Sequence, residues 1–192
     1  MKPNHRSLTH KFTVLAWLLA AALIAVLVAG CGNETDKANQ LVDEVNAITQ
    51  DTGPKFDEVE KLLTQASAQL GAGRTEAEKA TLDQALKLLD EIIPQIEQAK
   101  AKTEEAAGLQ ISDSYRQYLQ AKSRAIDASL VLTQISRQLT NTYLADPTLQ
   151  NPDTLPKIDG LRKNIEEQIK KLNDAETEAA RIAAENAEEI EQ

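Results

Sequence analysis

Residues 75–107 read TEAEKATLDQALKLLDEIIPQIEQAKAKTEEAA. The opening Thr75-Glu76-Ala77-Glu78 has the T-x-x-E form of a capping box, in which a hydroxyl and a carboxylate satisfy the first free amides of a helix. Behind it Leu82, Leu86, Leu89, Ile93 and Ile96 recur at intervals of three and four, and Ala85, Leu88, Ile92 and Ala99 widen the stripe. That arc is broader than a two-stranded coiled-coil seam, so the helix is expected to touch two neighbours. Pro94 sits inside the pattern. Because Ile96 and Ala99 keep the period, it is expected to bend the helix rather than end it, and Gly108 marks the stop.

The same reading extends to both sides. Upstream, residues 34–70 are helical, with Asn33 or Thr35 as the cap and Leu41, Val45 and Ile48 on one face. Gly53-Pro54 interrupts them, and Phe56, Val59, Leu63, Ala66 and Leu70 resume the spacing, so this helix is kinked or broken at that dipeptide. Gly71-Ala72-Gly73 closes it. Downstream, a third helix over 113–144, capped by Ser112 or Ser114, carries Tyr118, Ala121, Ala125, Ala128, Leu132, Ile135 and Leu139 on one stripe. Leu119, Ile126 and Leu130 lie on an adjoining one, and this segment is expected to form the centre of the core. Residues 145–153, with Pro147 and Pro152, form the longest loop. A fourth helix runs from Thr154 to about Glu189 along Ile158, Leu161, Ile165, Leu172, Ala175, Ala179 and Ile182.

Four long amphipathic helices joined by short turns predict an all-α fold, an elongated antiparallel up-down four-helix bundle. The alternative is a three-helix, spectrin-like bundle with residues 34–51 as an N-terminal helical stalk. No alternating β-branched run predicts a strand.

The chain holds 21 Lys+Arg and 30 Asp+Glu. Three of the basic residues (Lys2, Arg6, Lys11) and none of the acidic ones precede Cys31, leaving 18 basic against 30 acidic beyond it, a net −12. That balance argues against a nucleic-acid partner or a basic face for anionic headgroups. His5, His10 and Trp17 also precede Cys31. Beyond it there is no imidazole for acid–base or triad chemistry and no His/Cys set for zinc. Glu-x-x-His pairs for a di-metal bundle are missing too. The acidic pairs Glu104-Glu105, Glu166-Glu167 and Glu188-Glu189 lack the spacing of a calcium loop and read as solvated surface. No catalytic residue, metal or cofactor is expected, and the chain is not read as an enzyme.

The N-terminus carries the most specific motif. The basic stretch is followed by an apolar block from Phe12 to Ala29 and by Leu27-Val28-Ala29-Gly30-Cys31, with the chain's single cysteine last. This is the layout of an export signal. The L-V-A-G-C ending resembles the lipobox of bacterial lipoproteins. The resemblance implies removal of residues 1–30, a diacylglycerol with fatty acyl chains such as palmitate on Cys31, and anchoring to the extracytoplasmic face of a cell membrane, inner or outer. Each buried methylene contributes about 0.8 kcal/mol, so two chains hold where one does not. Residues 31–36 would be the lipidated tether and 37–192 the bundle domain.

With an anchor at Cys31 the first helix climbs away from the membrane, and the 145–153 loop shares the distal end with the Gly71–Gly73 turn, provided that all four helices span the full height. Pro147, Leu149 (expected exposed), Pro152 and Tyr143 are the candidate contact residues for a protein or cell-wall partner. The function expected is non-catalytic, structural or interaction-based, at the cell envelope. The alternative is a module that holds a small apolar ligand between helices, near Leu86, Leu89, Leu132 and Leu139.

Overall fold

The computed structural model describes residues 33–71, 73 and 75–186. Four helices account for nearly all of them: α1 Asn33–Gly71, α2 Thr75–Ala107, α3 Asp113–Ala145 and α4 Thr154–Glu185. The expected export signal, residues 1–30, and Cys31 lie outside the described residues. No strand occurs among the described residues.

Cross-helix polar contacts fix the direction of each helix. Lys37 pairs with Glu105 at 2.9 Å, Lys102 with Glu44, and Gln95 Nε2 donates to Asp51 at 2.6 Å, so α2 runs antiparallel to α1. Lys100–Asp127 at 2.8 Å and Arg137–Asp90 do the same for α2 and α3. Lys122–Glu176 and Tyr143–Arg162 do it for α3 and α4. Asn39, Tyr115 and Asn186 therefore share one end, and Gln69, Thr81 and Tyr143 the other. All four helices span the height, and helices of 32 to 39 residues reach roughly 50 Å at about 1.5 Å per residue.

α1 corrects the expected break, and with it the stalk. It is one helix through Gly53 and Pro54, and the stretch 34–51 belongs to it. Pro54 is exposed, so the carbonyl it leaves unpaired can meet water. Buried Thr52 donates its hydroxyl to the carbonyls of Ile48 and Thr49, and Lys55 links Asp51 to Gln95 of α2. The apolar face runs on through Phe56, Val59, Leu62 and Ala66, with Leu62 rather than Leu63 fully buried. Pro94 is likewise exposed within a continuous α2, and Ile96 and Ala99 are buried beyond it as expected.

The ends differ in how they are closed. Ser112 caps α3, its hydroxyl accepting from Tyr115 N–H at 3.2 Å. Arg116 reaches back and donates to the carbonyls of Ala107, Leu109 and Ile111, satisfying the end of α2. At the start of α2, Glu78 of the expected capping box is 2% exposed, and its Oε2 has no hydrogen-bond partner among the described residues. α4 ends at Glu185, short of the expected Glu189. Asn186 closes it by donating both its backbone N–H and its Nδ2 to the Ile182 carbonyl.

The core is centred on α3, but not as an apolar helix. Between the flank that carries Asp127 and Arg137 toward α2 and the flank that carries Ala121 toward α4 runs a line of hydroxyls, Ser129, Thr133, Ser136 and Thr140, each at most 3% exposed. Thr133, Ser136 and Thr140 donate to carbonyls four residues back, at 2.8 to 3.0 Å. Their polarity is thus met within α3 and the side chains pack as small apolar groups would. Ser129 Oγ alone of this line has no partner.

Two predictions follow from the buried polar groups. Ser129→Ala removes an unpaired hydroxyl and should leave stability unchanged or raise it by about 1 kcal/mol in urea unfolding. A loss of more than that would show that the hydroxyl is hydrogen-bonded in solution. Burial pushes the Glu78 carboxyl up from its ordinary 4.5. A carboxyl with a raised folded pKa penalises the fold above that pKa, and the penalty fades as pH falls through it. Glu78→Met should therefore stabilise the protein at neutral pH by roughly 1 kcal/mol. Thermal melts should show that gain shrinking as the pH is lowered toward 4.5.

Candidate functional site

The loop after α3 is built on one carboxylate. Asp146 Oδ1 accepts from Gln150 N–H at 3.1 Å and Oδ2 from Asn151 N–H at 3.0 Å. Thr154 and Thr148 hydroxyls add to this, and the hydrogen bonds, that of Thr154 first, hold the Asp146 carboxyl below its ordinary value of 3.8. Asn151 in turn accepts from Asp153 N–H at 3.0 Å.

This scaffold corrects the expected exposure of Leu149. Held at φ 54, a left-handed conformation that a bulky side chain rarely adopts, Leu149 is half-buried and packs on the main core beside Tyr143. Tyr143 is also half-buried, and its hydroxyl accepts from Arg162 Nη2 at 3.1 Å. Pro147 is half-buried, and Pro152 is exposed. The loop does bring Tyr143, Pro147, Leu149 and Pro152 to one end of the bundle, but the apolar group it presents to solvent is Leu155, 52% exposed in the first turn of α4. The pattern L-P at 155–156, outside the apolar stripe of α4, is the signal that pointed there.

The other two tyrosines pack. Tyr115 is 3% exposed and donates to Asn39 Oδ1 at 2.8 Å; its ring stacks with Tyr118 at 6.4 Å between centroids. Burial raises both phenols to about 12, with Tyr118 and Asp43 adding to the shift of Tyr115 and Glu176 to that of Tyr118.

Of the residues named for an apolar ligand, Leu89 and Leu132 are each 1% exposed, Leu139 is buried and Leu86 is half-buried. Two depressions lie elsewhere. One, of about 480 Å³, is a shallow dip between α2 and α3 lined by Glu104, Ala107, Gly108, Gln120, Ser123 and Arg124. The other, of about 40 Å³, is a crevice between α1 and α4, floored by α3. Among the described residues no group of three or more His, Cys, Asp or Glu is placed to hold a metal ion, and no helix is long and apolar enough to cross a membrane. Of the acidic pairs, Glu105 faces Lys37, whose hydrogen bond holds the carboxyl below its usual range, Glu104 lies 3.8 Å from Lys100, and Glu188-Glu189 falls outside the described residues.

Charge is divided unevenly across the bundle. α1 and α2 together carry 16 acidic and 7 basic residues, whereas α3 and α4 carry 9 and 10. The field of the molecule is therefore negative on the α1/α2 side and close to neutral on the other.

Asp146→Ala should free the loop without unfolding the helices. Amide exchange at Gln150 and Asn151 should rise, and protease nicking should appear within 146–153. Because the carboxyl of Asp146 is held low, its hold on the loop is complete above 3.8 and is lost as pH falls below that value. An acid titration of the Gln150 and Asn151 amide shifts reads this directly. No family model, no curated protein and no solved structure matches the chain.

Proposed function

We propose that this chain is a lipid-anchored protein of the extracytoplasmic face of a cell membrane, and that it acts without catalysis, as a structural element or a partner-binding rod of the cell envelope. The observation that carries this reading is Leu27-Val28-Ala29-Gly30-Cys31 at the end of a basic-then-apolar segment. The fold is consistent with it in one respect. α1 begins at Asn33, two residues after Cys31, so a lipid there leaves almost no tether. The end holding Asn39, Tyr115 and Asn186 would stand at the membrane. The Asp146 loop and Leu155 would stand roughly 50 Å away, the length of a helix of this size.

A rod of this kind separates two tasks. Two acyl chains supply retention, since each methylene buried in the bilayer adds about 0.8 kcal/mol. The helices supply reach, and the acidic α1/α2 side favours a partner with a basic surface over polyanions such as nucleic acid. Pro152, Leu155 and the Asp146-ordered loop would supply the distal contact with a protein or cell-wall partner.

Mass spectrometry of the chain isolated from its native membranes should find Cys31 as the N-terminal residue, carrying diacylglycerol. Cys31→Ser should move the protein from the membrane fraction to the soluble exported fraction. An intact Met1 with an unmodified thiol would overturn the anchor. Crosslinking in intact envelopes should recover a partner joined near 147–156, and crosslinks confined to other faces would overturn the distal contact.

A further inference from the structure

At the end of the bundle where α1 begins, the core divides. Ala38, Leu41, Ala106, Ile111, Tyr115 and Leu119 form one cluster from α1, α2 and α3. The main core includes α4 only as far as Ala175. Ala179 and Ile182 belong to a separate cluster whose one other buried member is Ala121 of α3, with Tyr118 packed beside it. The last turns of α4 thus lean on α3 alone.

The crevice described above marks the gap. Val42, Val45 and Thr49 of α1 form one wall, Glu176 of α4 the other, and Tyr118, Leu119 and Ile126 of α3 part of the floor. α1 packs along α2, α2 along α3 and α3 along α4, and α1 and α4 share no comparable interface among the described residues. Within the crevice Lys122 Nζ donates to both carboxylate oxygens of Glu176, at 3.0 and 2.9 Å. With side chains 15% and 14% exposed, this is the most buried ion pair among the described residues.

We propose that residues 176–185 form a lid that opens independently of the rest of the bundle, with the Lys122–Glu176 pair as its latch. The apolar side chains that the segment buries are Ala179 and Ile182, whereas Leu172 and Ala175 before it stay in the main core. A segment with so little buried apolar surface opens at lower cost than the whole domain. Opening breaks the two charge-assisted hydrogen bonds of the pair, and removing one partner leaves the other charge poorly solvated in the closed crevice, which favours the open form. Opening bares Tyr118, Leu119 and Ile126 beside Val42 and Val45, an apolar strip that the closed form covers. The N-terminal half of α4 stays in the main core through Ile158, Leu161 and Ile165.

Hydrogen exchange followed by mass spectrometry on the full chain at neutral pH tests this. Amides of 176–185 should exchange faster than those of 158–175 in the unaltered protein. Glu176→Leu, which leaves Lys122 unpaired, should speed exchange in 176–185 by a further ten- to a hundredfold, roughly, and leave 158–170 and α2 unchanged. The double variant Lys122→Met with Glu176→Leu replaces the pair by apolar groups and should return exchange in the segment to the original rate or below. If Glu176→Leu does not fold, the double variant still carries the test. Acceleration spread evenly over all four helices, no acceleration in the segment, or a double variant that opens as fast as the single one would each overturn the lid.

Discussion

α3 has to be buried on two flanks at once, and the other three helices are arranged by that demand. Its Asp127 and Arg137 side is tied to α2, and its Lys122 and Arg124 side to α4. Two neighbours can close on one helix only if the arc between them is narrow. Ser129, Thr133, Ser136 and Thr140 supply that arc. Bonding back to the carbonyl four residues earlier costs little, and three of the four do so. A longer polar group there would need a partner across the bundle, and a leucine would push the neighbours apart.

The two ends of the rod are finished by different means. Where α2 turns into α3, a guanidinium collects the carbonyl of the last α2 residue and two of the turn, and Tyr115 ties this end to α1. Where α3 turns into α4, a carboxylate collects the free amides of the loop and turns Leu149 inward. Each device places one charged side chain where several backbone groups of one kind converge, which charge-assisted hydrogen bonds favour. The uneven charge of the two hairpins is a separate property. It leaves the packing alone and sets how the rod meets charged surroundings.

Much of this architecture is legible in the sequence because helix periodicity is. The stripes along 75–107, 113–144 and 154–182 predict the three helices and most of their buried residues, and the up-down order follows from short turns. Pro54 suggests a break that does not occur. A proline on the exposed face of a long amphipathic helix removes one hydrogen bond, yet Phe56, Val59 and Leu62 still bury themselves in phase with Leu41 and Val45. The hydroxyl line of α3 does not show in an apolar stripe, although the spacing of Ser129, Thr133, Ser136 and Thr140, four, three and four, is that of a core face. Of the candidate contact loop, Pro147 and Pro152 announce a turn. The inward Leu149 depends on the hydrogen bonds of Asp146, which no local pattern reports. Cys31 is the reverse case, a proposed lipidation site read from sequence alone and outside the described residues.

The central claim is that four full-height helices bring residue 110 beside the start of α1 and carry residue 148 to the opposite end. Pulsed electron-spin distance measurements with label pairs at 36 and 110, and at 36 and 148, test it most directly. The account predicts a short distance for the first pair and one of roughly 50 Å for the second, as about 35 residues of helix at 1.5 Å each require. A long distance for the first pair, or similar distances for both, would contradict it.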